Sequence, residues 1–194
     1  MTSRRASSHA DRRLIMAIAQ GDHQAFETLY HQYETRVFHY VLTLVRDSSM
    51  ADDILAEAML AVWHAAESFR GDAQVSTWIF GIARHKALDA SRQRQRDSHR
   101  ITPLEEALQI EDPQDGPIEL AMQQATAAAT MRALAQLSPE HREVLHLAFY
   151  QDLSYQDIAE LVDIPVNTVK TRVFYAKKAL KEILIRHGLT EPIA

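Results

Sequence analysis

The sequence predicts an all-α protein: two small helical domains joined by an acidic flexible linker, the second a four-helix domain ending in a helix-turn-helix. Three observations carry that expectation. Apolar residues recur at three- and four-residue steps over most of the chain, the period of an amphipathic helix. Five glycines and six prolines in 194 residues are few, and a sandwich or barrel needs many more turns. Residues 97–117, "DSHRITPLEEALQIEDPQDGP", break the pattern with three prolines, a glycine and a run of acids, the composition of a linker.

In chain order, residues 1–10 are polar and basic and read as a disordered tail. The first domain is expected over 11–96. Its opening stripe is Phe26, Leu29, Tyr30, Tyr33, Val37, Tyr40, Val41 and Leu44, one apolar helix face. "RDSS" at 46–49 interrupts it, with Ser48 or Ser49 as candidate caps of the next helix. That helix repeats the pattern through Ile54, Leu55, Ala58, Met59, Val62 and Trp63. A polar loop, "RGDAQVS", follows. Ser76 or Thr77 is expected to cap a helix running from Trp78 into an Arg-rich end. Beyond the linker, the second domain is expected over 118–187, with 188–194 as a tail. It holds a helix-rich stretch at 118–137, then "SPEHREVLHLAFYQ" with Ser138 as cap and Pro139 in the first turn. Two further helices, "SYQDIAELV" and roughly Val166–Arg186, complete it.

The last two helices meet in "ELVDIPVNTVKTRV", residues 160–173. Ile158, Ala159, Val162 and Ile164 would face Val169, Val173, Ala176 and Leu180, and a small residue such as Ala159 suits a close crossing. The turn carries Asp163, Ile164 and Pro165 where glycine is usual. It is feasible without one: Asp accepts the left-handed conformation better than most residues, and Pro suits a helix start. The outer face then presents Asn167, Lys170, Thr171, Phe174, Tyr175, Lys177 and Lys178. Such amide, hydroxyl and cationic groups fit base edges and phosphates. Taken alone, the stretch fits a DNA reader and an amphipathic hairpin with a basic solvent face equally well.

Charge is segregated along the chain. The net charge is -5, yet residues 84–100 hold six Lys/Arg against two acids and 166–187 hold six against Glu182 alone. Residues 22–67 and 101–119 carry the acids. Phosphate binding depends on local basic surface, so the total does not exclude nucleic acid. Without cysteine there is no disulfide and no Cys-based zinc site, which fits a cytoplasmic protein. No segment has the length of a membrane span or the form of a signal peptide. Enzyme signatures are missing: His141 and His146 are five apart, off the i, i+4 spacing of a zinc helix, and no Gly-rich phosphate loop or nucleophile elbow occurs. Neither a metal nor a cofactor is expected.

The segment "FRGDAQVSTWIFGIARHKALDASRQRQR" joins a polar loop, two aromatics and a cationic helix. Aromatic faces beside cations hold single-stranded bases, although Ile79 and Phe80 suit a helix core better, and Trp78 fits either role. With this segment, "DDILAEAMLAVW" and the 138–185 stretch in order, the chain resembles bacterial RNA polymerase sigma factors of the extracytoplasmic-function (ECF) class, from about residue 22 to 185. The resemblance implies a protein that binds core RNA polymerase, directs it to promoter DNA and promotes strand opening. It implies that Asp52, Asp53, Glu57 and Trp63 dock on the polymerase. Phe69, Arg70, Gly71, Asp72, Gln74 and Ser76 would capture a flipped base of the minus-ten element, with Thr77, Trp78, Arg84, His85 and Lys86 flanking the opening duplex. Asn167, Lys170, Thr171, Arg172, Phe174, Tyr175 and Lys177 would read the minus-thirty-five element. An anti-sigma protein is the expected regulatory partner. Three positions depart from the common family pattern: Ala56 for glutamine, His85 for asparagine and Tyr175 for arginine. The alternative is a helix-turn-helix regulator that works without polymerase.

Overall fold

The structure is a computed structural model, and it describes residues 2–98 and 132–187. The first domain holds four helices: α1 (Thr2–Ile18), α2 (His23–Val45), α3 (Ser48–Ala65) and α4 (Val75–Ser98). A 3-10 turn at Ala66–Ser68 follows α3. The second domain holds α5 (Pro139–Leu145), a π-helical turn (His146–Tyr150), α6 (Tyr155–Val162) and α7 (Val166–Arg186), preceded by helical residues 132–135. All regular elements among the described residues are helical. The expected linker beyond Ser98, the helix expected over 118–131 and the tail 188–194 lie outside the described residues.

The helix boundaries show which local signals won. The expected tail is, over Thr2–Ala10, the first turns of α1. The cap of α3 is Asp47, not Ser48 or Ser49: its carboxylate accepts the Met50 N–H at 2.9 Å, and a charged acceptor suits the positive end of a helix. That hydrogen bond is the main reason its carboxyl sits below the usual range. Ser76 and Thr77 do not cap α4, which starts at Val75 and closes its first turn with Trp78 N–H donating to the Gln74 carbonyl at 3.0 Å. Ser138 does cap α5, with Pro139 in the first turn. Ser154 and Asp157 form a reciprocal capping box at α6.

Apolar faces pack as the periodicity predicts. Leu29, Tyr33, Val37, Tyr40 and Val41 of α2 are buried against Ile54, Met59 and Val62 of α3 and Ile79, Phe80 and Ala83 of α4. Full burial of each large side chain contributes about 1.5–3 kcal/mol. Leu147, Ile158, Val169, Val173 and Ala176 of the second domain are buried in the same continuous cluster. Asp163 adopts φ 55°, ψ 53° between α6 and α7, the left-handed conformation expected of it.

The two domains pack against each other through polar contacts that local sequence does not announce. Glu143 on α5 accepts from the Tyr40 hydroxyl and from Nε of Arg84, each at 2.8 Å. Gln151 accepts from Nε of Arg36 and donates to the Arg36 carbonyl. Arg142 donates to the carbonyl of Thr43 at 3.2 Å. These groups are partly or wholly withdrawn from water, where each hydrogen bond is worth more and each broken one leaves a costlier orphan.

Candidate nucleic-acid interface

The outer face of α7 is open. Asn167, Lys170, Thr171, Phe174, Tyr175 and Lys177 are all exposed, while the Val169–Val173–Ala176 stripe beneath them is buried. Phe174 is 65% exposed and lies edge-to-face with Tyr175 at 5.4 Å. Two adjacent exposed aromatics on a helix are costly to hydrate and suit apolar contact with a partner. The ammonium nitrogen of Lys177 sits 4.6 Å from the centroid of the Phe149 ring, a cation–π contact at the surface. Arg172 is the exception in this set. It is half-buried and off the open face.

The second group gathers around the loop between the 3-10 turn and α4. Gly71 has φ +78°, which lets the chain reverse there at no steric cost. Arg70 and Asp72 are exposed on either side, and Gln74 and Ser76 are half-buried. Phe69 packs on Trp78 with ring centroids 4.9 Å apart, so Trp78 is neither a pure core anchor nor a free platform. Ile79 and Phe80 are fully buried, as core residues should be. Thr77 is 5% exposed and its hydroxyl has no hydrogen-bond partner. It lines an open groove of about 520 Å³, whose walls include Trp78, Ile82, His85 and, from α6 of the second domain, Glu160 and Leu161.

Further along α4, the cations have different fates. His85 is exposed near Asp89, and Lys86 reaches Glu57 of α3 at 3.1 Å. Arg84 is drawn onto Glu143 of the second domain. Burial alone would lower the pKa of Arg84, but the Glu143 hydrogen bond and charge more than offset that and raise it. The phenol of Tyr40 is pushed well above its ordinary value by burial and then by Glu143, so it remains the donor. On α3, Asp52 and Asp53 are exposed, and Trp63 is half-buried between His23, stacked at 4.7 Å, and Phe26, edge-on at 5.2 Å.

The fold therefore brings the acidic α3 face and the loop-and-α4 surface side by side, with Glu57–Lys86 as the bridge. It sets the α7 face on the other domain. Sequence reasoning missed Tyr40, Glu143, Arg36 and Gln151 as the groups that engage α4 and α2 across the domains. It also missed Arg12, which reaches the Gly71 carbonyl. These contacts are 59 to 115 residues apart in sequence, and no local pattern signals them.

The described residues thus form an all-helical fold with one exposed basic helix face and a separate loop that carries an aromatic pair and cations. Comparison with known proteins narrows the class. Residues 29–97 match the family model of Sigma-70 region 2, and residues 127–180 match that of Sigma-70 region 4. The chain is 32% identical over 185 residues to RNA polymerase sigma-H factor of Pseudomonas aeruginosa, covering 90% of this chain and 93% of that one. It is 33% identical over 175 residues to ECF RNA polymerase sigma factor SigM of Mycobacterium tuberculosis, covering 90% and 85%. Among solved structures, the sigma factor RpoE of Bartonella quintana, in complex with the anti-sigma factor NepR, shares the fold with TM-score 0.70 and 24% identity over 82% of this chain and 96% of that one. CnrH, in complex with the cytosolic domain of CnrY, gives TM-score 0.64 and 23% identity over 91% and 98%. The chain belongs to the RNA polymerase sigma factors of the ECF class. Its function is to direct RNA polymerase to promoters, and the match to both regions sets aside a regulator that works without polymerase. Among the described residues no helix is long and apolar enough to cross a membrane.

Proposed function

We propose that the two surfaces divide promoter recognition between them, one on a first domain that begins with α1 and ends with α4, the other on a second domain bounded at about 118–187. The outer face of α7 reads the duplex of the minus-thirty-five element: Lys170 and Lys177 meet phosphates, while Asn167, Thr171, Phe174 and Tyr175 face base edges. The loop at 69–76 takes a base flipped out of the non-template strand of the minus-ten element. Thr77, Trp78, Arg84, His85 and Lys86 line the opening duplex. Extrusion of a base costs a few kcal/mol, so a fitted site turns binding into strand opening. Asp52, Asp53, Glu57 and Trp63 form the polymerase-docking face, and the acidic segment 97–117 passes through the polymerase where a polyanion is accommodated. The chain acts in the cytoplasm by binding alone, without catalysis, metal or cofactor, and is held in check by an anti-sigma protein.

The observation that carries this reading is the exposure of the α7 polar and aromatic face, with Phe174 at 65% and Tyr175 at 53%, over a buried apolar stripe. Large aromatic rings held in water on a helix face suit a partner's surface better than the fold of the chain. Support for the minus-ten assignment comes from the loop's left-handed Gly71, from the exposed Arg70 and Asp72 on either side of it, and from the open groove beside Trp78 and His85.

Run-off transcription tests it. Purified bacterial core polymerase, with and without the chain, is given genomic fragments that include the region upstream of its own gene. Discrete transcripts that depend on the chain are expected, and their start sites give the promoter elements. Loss of those transcripts on combined replacement of Lys170 and Lys177 by Ala, with core binding unchanged, is the expected signature of the α7 assignment.

A further inference from the structure

Arg12 is on α1, and its Nη2 donates to the carbonyl oxygen of Gly71 at 2.6 Å. A Cβ placed on Gly71 would lie 3.3 Å from Nη1 of Arg12 and 3.5 Å from its Cζ. The guanidinium therefore covers the open side of the glycine, and that residue's bareness serves both its positive φ and this close approach. Among the described residues, no other hydrogen bond ties residues 70–73 to another element.

The helix that carries Arg12 is firmly seated. Asp11, the preceding residue, is 7% exposed and accepts the Tyr33 hydroxyl at 2.7 Å. Ile15 and Ile18 are buried on the same side, at 1% and 2% exposure. One residue thus fastens α1 to α2 while the next reaches across to the loop. A charged donor on a neutral carbonyl makes a stronger hold than a neutral pair.

We infer that Arg12 is a positioning residue for strand opening: it holds the 69–74 loop in the shape that receives a base, without itself meeting nucleic acid. The inference rests on the reading of that loop as the base-capture site. A loop already ordered before the base arrives binds it more tightly, because the ordering is not charged to the binding step.

The test uses holoenzyme assembled from bacterial core polymerase and the full chain. The probe is a fluorescent single-stranded fragment spanning the minus-ten region of the non-template strand, from a promoter located by run-off transcription. Arg12→Ala is expected to weaken probe binding about fivefold, the scale of one net hydrogen bond. Arg12→Lys should recover most of that loss, because an ammonium can donate to the same carbonyl. Core binding and thermal melting should be unchanged in both. The dependence of log affinity on log salt should also be unchanged in Arg12→Ala. A slope shallower by about 0.7 would mean that Arg12 neutralises a phosphate, and would overturn the positioning role. So would an Arg12→Lys variant no better than Arg12→Ala. Asp72→Ala separates the two levels of the argument. If it weakens probe binding while Arg12→Ala does not, the Arg12 inference alone fails. If neither weakens it, the loop assignment falls and takes the inference with it.

Discussion

His146 shows how a single side chain can be fixed in one protonation state by its neighbours. Its Nε2 faces Nε2 of Gln151 at 3.0 Å, and its Nδ1 faces Oγ1 of Thr43 at 3.2 Å. Gln151 uses its oxygen to accept from Arg36, so the amide nitrogen must donate to the ring. Thr43 donates its own proton to the His39 carbonyl, so it must accept from the ring. Only the neutral Nδ1–H tautomer satisfies both. Burial, and then the nearby His39, lower the pKa of His146 to about 4. The unfolded chain binds this proton near pH 6.5 and the folded one only near 4. Stability should therefore be full above about pH 6.5 and fall as the pH drops toward 4, by up to on the order of 3 kcal/mol from this group. Urea unfolding midpoints measured between pH 4 and 7 check it, and His146→Gln should flatten the acid side of that profile relative to the parent.

The proposed assignment of DNA reading to the α7 helix rests on the separation of its two faces. Its buried stripe of Val169, Val173 and Ala176 fixes its rotation on α5 and α6. The turn that delivers it works without glycine because Asp163 takes the left-handed conformation and Pro165, with φ -59°, occupies the N-cap position rather than the first turn. Lys170, exposed one turn into α7, is expected to contribute through a phosphate and not through a base. Lys170→Ala should then weaken binding of promoter and non-promoter duplexes to a similar degree and reduce the salt slope by about 0.9. Fluorescence titrations of holoenzyme at several salt concentrations measure both quantities. A loss confined to one promoter sequence would instead make Lys170 a base reader.

The packing of the two domains gives Arg84 a second partner. Its Nε cannot serve Glu143 and a nucleic acid at once, and the second domain also lends Glu160 and Leu161 to the wall of the Thr77–Trp78 groove. Glu143 is the hub because one of its oxygens accepts from both Tyr40 and Arg84. Glu143→Gln keeps the shape and removes the charge, leaving Arg84 without an anion. This should lower stability by about 1–3 kcal/mol. It should also enlarge the radius of gyration of the free chain measured by small-angle X-ray scattering. An unchanged radius would assign the hold to the Arg36–Gln151 and Arg142–Thr43 contacts instead.

Much of this protein can be read from its sequence, because the information is local and periodic. The buried stripes of α2, α3 and α7 follow from apolar spacing that recurs every turn, whereas α1 over Thr2–Ile18 was not legible, its first turns reading as a polar tail. The left-handed Asp163 and the Ser138–Pro139 start of α5 follow from the stereochemistry of single residues. The exposed set on α7 follows once its buried face is known, with Arg172 alone withdrawn from it. Helix caps were harder to read: Asp47 displaced the adjacent serines, and α4 began three residues early, because several side chains in a row can satisfy the same free N–H groups. Beyond the reach of the sequence were the contacts between elements far apart in the chain. Glu143 meeting Tyr40 and Arg84, Gln151 meeting Arg36 and Arg12 meeting Gly71 depend on the rotation and spacing of helices about one another. Those are set by the summed packing of the whole core, and no run of neighbouring residues encodes them.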